Sequence, residues 1–324
     1  MKKLLDEEAI IKLLWSKLSG NGRDPFDDDV VWSENQNSKK MIISKSDMLV
    51  TFTDVPRHMS ALQIARKSVV SCISDFAAKG VRPSFCLVSI GLPRKLSNAK
   101  FVSSLAAGFA AAQEEYGVKI LGGDVNETER DCVIDCSGFA FTNKFVRRRD
   151  ARIGDLVGTS GKFGHQAGGL LILKGQAKSV SKSFERKAVR SVLSPCARLD
   201  MGTKIARYLS SSTDSSDGLA ISLYHLAESS GVSFELDYLP ADDDLNRFAN
   251  DNELSVNDLI LFGGEEYELV FTFPPKYKSK LSKEGVITIG SVIKTRQGSK
   301  PQVYYRLKRV PRKGWLHLEG SSSS

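Results

Sequence analysis

The 324 residues contain only five cysteines, four histidines and three tryptophans, and none of these scarce types is spaced as a reactive centre. Cys72, Cys86, Cys132, Cys136 and Cys196 form an odd set without a CxxC pair. That disfavours a disulfide framework and leaves a tetrahedral zinc site short of soft ligands. Cys132 and Cys136 lie in the alternating stretch CVIDCSGFAF, a strand pattern that puts both on one face; reduced, mostly buried thiols are expected. No two of His58, His165, His225 and His317 have metal-ligand spacing, and there is no GxSxG elbow, which disfavours a Ser/His/Asp hydrolase. Neither the phosphate loop GxxxxGK[ST] nor the dinucleotide fingerprint GxGxxG is present. No apolar run approaches the ~20 residues of a membrane span. Asp6, Glu7 and Glu8 interrupt MKKLLDEEAIIKLLWSKL where a signal peptide needs an apolar stretch. An amphipathic helix and a cytoplasmic location are expected instead. The net charge of +8 is spread along the chain, concentrated only at Arg147 to Arg149 and from Lys294 to Lys313. Without RNA- or DNA-binding signatures this favours a solvated basic face over a nucleic-acid groove. Attraction of anionic metabolites fits either reading.

What is present suits two domains with ordinary cores, since 41% of the chain is hydrophobic. After the opening helix and a polar loop, KKMIISKSDMLV reads as a strand. Next come a helix from about Ser60 to Lys79, the strand SFCLVSIGLP, a helix from about Asn98 to Tyr116, and the strands VKILGG and DCVIDCSGFAFT. This order predicts a layer with helices over one face of a sheet, ending at residue 143. In residues 144–324, DLVGTSG leads into a glycine-rich turn and a helical stretch, and strands return in VSFELDYL, EYELVFTF, VITIGSVI and QVYYRLKRV. The fold class is therefore α+β, with two units of similar class.

The most informative feature is a series of carboxylates beside short turns and helix ends: Asp28, Asp47, Asp75, Asp124, Asp214 and Asp217. Hard cations such as Mg²⁺ take oxygen ligands, usually one or two carboxylates together with substrate phosphates. Asp47 interrupts the apolar MIISKSDMLV, where an unpaired carboxylate is costly and a cation partner resolves the cost. Asp75 stands late in a largely apolar helix, against the plainer reading of a surface position. Asp124 follows Gly122 and Gly123 at the apparent end of a strand, where a plain turn competes with a ligand-facing turn. In STDSSDGL two acids and two serines crowd a helix start. One acid would serve as a cap, and the excess points to metal, phosphate and backbone N–H groups meeting there. The turn from Gly161 to Gly169 divides evenly between a phosphate loop and simple close packing. Asp242 to Asp244 read as a solvated loop, and GGEEYEL gives Glu265 either a turn or a substrate-facing position.

Taken in order, SKSDMLV, SDFAAKG, LGGDVN, the arginines before ARIGD, DSSDGL and GGEEYEL resemble the thiamine-monophosphate kinase family. That family belongs to a superfamily with aminoimidazole ribonucleotide synthetase, selenophosphate synthetase and a hydrogenase-maturation protein. The resemblance runs from about Asp28 to Trp315. It implies an N-terminal domain that binds ATP and pairs its sheet with a second subunit in a dimeric barrel, and a C-terminal domain that closes over the site. It implies several Mg²⁺ ions held by Asp28, Ser46, Asp47, Asp75, Asp124, Asp214 and Asp217, with a monovalent cation as a further candidate. ATP contacts fall on Gly123, Asp124, Arg148 and Ser216, and thiamine phosphate contacts on Glu265, Trp315 of GWLHL and the position of Asp54. Asp47, Asp124 and Arg148 are the catalytic candidates. The sequence departs from the commoner pattern at several places. Asp27 stands at a Gly position, leaving Asp28 and Asp29 both open as primary ligand. Lys45 replaces a small hydroxyl residue that can support one Mg²⁺, Cys72 an Asn, Asp54 a His, and Glu266 an Asp.

The activity implied is ATP-dependent phosphorylation of thiamine monophosphate. A selenophosphate synthetase is disfavoured because the first cysteine is Cys72, and the hydrogenase-maturation relative because the given chain ends in SSSS. A ribonucleotide cyclo-ligase and a non-catalytic ATP-responsive binding protein remain the alternatives.

Overall fold

A computed structural model of the chain describes residues 5–18, 27–34, 40–179 and 181–315. Leu316, His317 and Leu318 of the GWLHL motif lie outside the described residues. The first unit runs α1 (Glu7–Leu18), β1 (Val31–Glu34), β2 (Met41–Val50), α2 (Thr51–Asp54), α3 (Ala61–Lys79), β3 (Phe85–Pro93), α4 (Ala99–Tyr116), β4 (Lys119–Thr128) and β5 (Val133–Thr142). Its five strands form an open sheet in the order β1-β2-β5-β3-β4, parallel only between β3 and β4. Along β5 the alternate residues Ile134, Cys136 and Ala140 are buried, so one face of the sheet is a core face. Cys72, Cys86 and Cys136 meet there with their sulfurs within 4.8 Å of one another. Free, buried thiols were expected, and Cys72, Cys86, Cys132 and Cys136 are all of that kind.

The second unit comprises β6 (Leu156–Thr159), α5 (His165–Leu173), α6 (Lys182–Leu193), α7 (Leu199–Ile205), β7 (Ser211–Asp214), α8 (Leu219–Ser230), β8 (Ser233–Leu236), α9 (Asp243–Asp251), α10 (Val256–Phe262), β9 (Leu269–Phe273), α11 (Lys278–Lys283), β10 (Ile287–Ile293), β11 (Val303–Tyr305) and β12 (Lys308–Arg309). Its sheet has the order β12-β11-β8-β10-β6-β9-β7. The architecture is thus mixed α+β, as the sequence pattern implies, while the described residues of the single chain carry an open sheet and form no closed barrel.

Helix α3 is the element on which both units converge. A reciprocal capping box between Ser60 and Gln63 starts it, and Gly80 at φ 66° stops it. Its apolar side chains, Val70, Ile73 and Phe76 among them, share one core with Ile134 of the first sheet and with Leu269, Phe271 and Phe273 of β9. On its other flank α7 packs so closely that a Cβ on Gly202 would sit 2.1 Å from the Ala77 carbonyl oxygen. A helix enclosed on this scale is expected to be apolar all round, yet α3 carries polar residues at a strict four-residue step.

Two sequence expectations change. Asp242 does not sit in a solvated loop: its carboxylate accepts from Leu245 N (3.0 Å) as the N-cap of α9 and pairs with Lys187 Nζ at 2.6 Å. Strand β4 does not end at Gly122 but continues to Thr128, so Asp124 lies within a strand rather than at a turn. Among the described residues no helix is long and apolar enough to cross a membrane.

Candidate functional site

One stripe of polar residues on α3 is Lys67, Ser71, Asp75 and Lys79, with Ser74 beside Asp75. Spaced four apart they share one helix face, and at ~1.5 Å per residue the stripe is ~18 Å long. Its members are tied to several other segments of the chain. Lys67 Nζ donates to the Asp54 carbonyl (2.6 Å) and pairs with Glu265 Oε1 (2.5 Å). The Ser71 hydroxyl and Tyr267 OH are 2.9 Å apart, and Ser74 Oγ donates to Asp214 Oδ2 at 2.7 Å. Asp75 pairs with Lys45 Nζ at 3.1 Å. Lys79 Nζ pairs with Asp28 Oδ1 (2.5 Å) and Asp29 Oδ2 (2.6 Å) and donates to the Ser212 carbonyl (2.8 Å).

The middle of the stripe is acidic. Asp29, Asp75 and Asp214 each bring a carboxylate oxygen within 4.8 Å of the other two, and Asp47 approaches through Lys45, whose Nζ is 3.7 Å away. Burial pushes the Asp75 carboxyl well above the usual carboxylate range, with Lys45 opposing and Asp214 and Asp47 adding to the rise. Burial likewise raises Asp214, against the hydrogen bond from Ser74. Carboxylates so crowded are uncomfortable unless cations join them. The donor set is all oxygen, and Ser215 Oγ, next to Asp214, is buried without a hydrogen-bond partner among the described residues. These features fit a hard divalent ion. Of the two acids left open by the sequence, Asp29 joins this group, where the resemblance put Asp28. Asp29 is also bonded by Thr213 Oγ1 (2.8 Å) and paired with the Arg148 guanidinium. Asp28 is turned to Lys79 and to the backbone N–H of Arg148 (3.2 Å).

At the Lys67 end the loops are stitched by their backbones. Glu265 N donates to the Ser216 carbonyl (2.6 Å), Tyr267 N to that of Ser215 (3.2 Å), and Trp315 N to that of Asp217 (3.0 Å). Glu265 and Tyr267 adopt φ values of 61° and 52°, a conformation that side-chain-bearing residues keep only where surrounding contacts impose it. Gln166 Nε2 holds the second Glu265 oxygen at 3.0 Å. A Cβ on Gly264 would lie 3.2 Å from that of Trp315, so the chain at Trp315 runs against this loop.

Other sequence-derived residues lie apart from the acidic centre. Ser46 is on the opposite face of β2 from Lys45 and Asp47, donating to Asp135 Oδ1 at 2.6 Å. The Asp54 carboxylate accepts from Val50 N (2.7 Å) at the start of its own helix, so only its carbonyl reaches the stripe. Asp124 is on the exposed edge strand β4, outside the Asp29–Asp75–Asp214 group. Gly123 has a packing reason to be glycine, because a Cβ there would fall 1.6 Å from the Val88 carbonyl oxygen. The glycine-rich turn resolves toward packing as well. An added Cβ on Gly169 would be 2.1 Å from the Ala188 carbonyl, and the N-terminus of α5 already receives Glu266, which accepts from Gly164 N (2.6 Å) and Gln166 N (3.3 Å). Sequence reading missed Lys67, Ser71, Ser74 and Lys79, although the four-residue step of Lys67, Ser71, Asp75 and Lys79 was available as a signal.

Burial pushes Glu266 from 4.5 up to about 8, the two backbone donors opposing and Glu268 contributing. The folded protein therefore holds a proton that the unfolded chain has released, and stability falls as pH rises from 4.5 to about 8. Glu266→Gln keeps an acceptor for both N–H groups and removes that loss. It is expected to gain on the order of 2 kcal/mol or more over the parent at pH 8 and nothing below pH 4.5. Urea midpoints at the two pH values check this, and an unchanged slope would place the titration elsewhere.

An acidic centre flanked by a cationic end and an aromatic, carboxylate-bearing end agrees with what the chain resembles. Residues 26–142 match the model of the AIR synthase related protein, N-terminal domain. The thiamine-monophosphate kinase of Nitrosopumilus maritimus strain SCM1 is 39% identical over 320 residues, 97% of this chain and 99% of that one. That of Pyrococcus horikoshii is 32% identical over 86% of this chain and 87% of its own length. The solved AaThiL complex with AMPPCP and TMP superposes with a TM-score of 0.86 at 29% identity, covering 98% of this chain and 99% of that one. With nearly full-length identity of this order, the chain belongs to the thiamine-monophosphate kinase family and carries that family's mixed α+β fold.

Proposed function

We propose that the chain transfers the γ-phosphoryl group of ATP to the phosphate of thiamine monophosphate, giving thiamine diphosphate and ADP by direct in-line displacement. The observation that carries this reading is the α3 stripe: an acidic centre between a buried ammonium pairing with two aspartates and a lysine holding Glu265 near Trp315. A neighbour of the same fold with bound AMPPCP and TMP supports an ATP-side and a thiamine-side end. Mg²⁺ held by Asp29, Asp75 and Asp214, with Asp47 at the edge of the group, would supply positive charge for the reacting phosphates.

The remaining work belongs to the protein's own groups. A phosphate acceptor is already ionised near neutral pH, its second pKa being about 6, so no general base is required and the lack of a suitable histidine costs nothing. The obstacle is mutual repulsion of two anions, roughly 4 kcal/mol for unit charges at ~4 Å and an effective dielectric of ~20. Arg148, anchored by Asp29 at the site's edge, and Lys45 bring fixed positive charge against it. Strain at Glu265 and Tyr267 and the Lys67 pair hold the acceptor loop in one geometry, which positional catalysis demands.

Residues 1–143 form the nucleotide- and metal-binding half in this proposal and residues 144–324 the half that closes over it. A second copy of the chain covers the outer face of the first sheet, where Met48, Leu87 and Phe141 are exposed by 61%, 37% and 44%. Its buried reduced thiols agree with a cytoplasmic site of action.

Incubation with ATP, Mg²⁺ and thiamine monophosphate is expected to yield thiamine diphosphate, with free thiamine and aminoimidazole ribonucleotide precursors inert as competing acceptors. Conversion of a competitor in preference would overturn the assignment. Trp315, 43% exposed, packs on the cationic thiazolium and contributes ~0.5–2 kcal/mol. Trp315→Ala therefore raises KM for thiamine monophosphate about 2–30-fold with kcat nearly unchanged; an unaltered KM removes the residue from the acceptor site.

A further inference from the structure

Lys45 and Asp47 are two apart on β2 and so face the same side of the sheet, toward α3, while Ser44 and Ser46 face the other. A lysine on a sheet's core side normally carries its ammonium out to water. Lys45 does the reverse. Its Nζ sits between a buried carboxylate, Asp75 at 3.1 Å, and a more open one, Asp47 at 3.7 Å. The contrast with Lys79 is instructive, because that ammonium is fully enclosed by three oxygen partners at 2.5, 2.6 and 2.8 Å and has no donor left for a ligand. Lys45 is a quarter exposed and has one close oxygen partner among the described residues, so donors remain for a phosphate oxygen.

Resting on the reading under Proposed function, we infer that Lys45 is a tethered cation of the acidic pocket, taking the place of one divalent ion at the Asp47–Asp75 edge. The ions are thereby confined to the Asp29–Asp75–Asp214 side. Mg²⁺ bonds its oxygen ligands at ~2.0–2.1 Å and demands near-octahedral space. An ammonium already within 3.1 Å of Asp75 both fills that space and repels a second positive centre. The lysine thus trades a diffusible charge for a covalently held one. Such a site requires less free Mg²⁺ and responds to it less steeply.

Mn²⁺ bound per chain, counted by equilibrium dialysis with AMPPCP present, tests this without relying on turnover. Lys45→Thr is expected to bind one additional Mn²⁺, whereas Lys45→Arg keeps the parental number. Equal counts in the parent and the threonine variant overturn the inference. A second measurement uses the parent alone, so it stands even if the variant does not fold. Acylation of the Lys45 amine, followed by peptide mass spectrometry, is expected to slow several-fold when AMPPCP and Mg²⁺ are bound. Faster acylation in that complex means that the metal expels the ammonium and overturns it equally. Loss of thiamine monophosphate conversion by the parent would instead count against the proposed function. Conversion intact with equal ion counts removes only the role of Lys45.

Discussion

Asp214→Asn lowers turnover by about 10²–10³-fold at saturating Mg²⁺ while making the metal-free protein more stable. The two halves of this result share one cause. Asp214 is only 5% exposed, and an oxygen of Asp29 and of Asp75 lies within 4.8 Å of its own. At that separation and an effective dielectric of ~20, like unit charges repel by roughly 3 kcal/mol. The attraction of Lys45 and Lys79 takes back part of this, leaving a net gain of about 1 kcal/mol when the charge is removed. Asparagine keeps an acceptor for Ser74 Oγ, now at 2.7 Å from Asp214 Oδ2, and its amide can donate to the remaining acids. Catalysis suffers because it depends on placement, and a displacement of ~1 Å at the reacting phosphates can cost ~100-fold. Thermal unfolding in EDTA and kcat with excess Mg²⁺ check both halves. Near-parental kcat would take Asp214 out of the cage. A loss of metal-free stability would mean that its charge chiefly anchors the two lysines.

A site that is under electrostatic stress until its ligands arrive is legible in a sequence only where the stress falls in apolar surroundings. Asp47 and Asp75 stood out for that reason, each a carboxylate in a stretch otherwise fit for a core. Strand β7 did not. Its residues, Ser211 to Asp214, are all polar and all buried, and polarity is ordinarily the mark of a loop. Their burial is tolerated because partners lie on other segments: Ser211 Oγ meets Thr272 Oγ1 at 2.8 Å, and Thr213 Oγ1 donates to Asp29 Oδ1 at 2.8 Å. No local pattern announces such pairs. In STDSSDGL the sequence assigns one acid to capping and the excess to a ligand, yet the N-cap of α8 is Gly218 and makes no side-chain cap bond. Even the one capping role that the sequence suggests is therefore not taken up by an acid at the N-cap position. Asp28 and Asp29 were inseparable for a related reason: neighbours in the chain, they diverge only once Lys79 and Arg148 are in place. The α3 stripe, by contrast, has a local signature, since a four-residue polar step along a largely apolar 19-residue helix is a helical pattern like any other.

Lys79→Met is expected to have the largest effect on stability, about 3–5 kcal/mol, a large share of a typical total of ~5–15 kcal/mol. The ammonium is 0% exposed, and the carboxylates of Asp28 and Asp29 are 2% and 4% exposed. Removing the lysine strands two acids away from water, and among the described residues Arg148 is the cation still paired with Asp29, beside the Thr213 hydroxyl. It also leaves the Ser212 carbonyl, on β7, without its donor at 2.8 Å. The damage falls on the joint between the 27–30 segment, α3 and the second sheet. Much of that cost is the penalty on the surviving carboxylates, not the worth of the pair. Lys79→Met with Asp28→Asn is therefore expected to recover ~1–3 kcal/mol of it, the coupling measured by a double-mutant cycle. Urea unfolding at constant slope supplies the midpoints. A single-variant loss below about 1 kcal/mol would show that the buried ammonium is not what fastens the acidic segment to α3. Full additivity of the two substitutions would show the same. If the cycle closes as expected, Lys79 holds Asp29 in register with Asp75 and Asp214, and the geometry of the metal-competent group rests on an ammonium that itself touches no ligand.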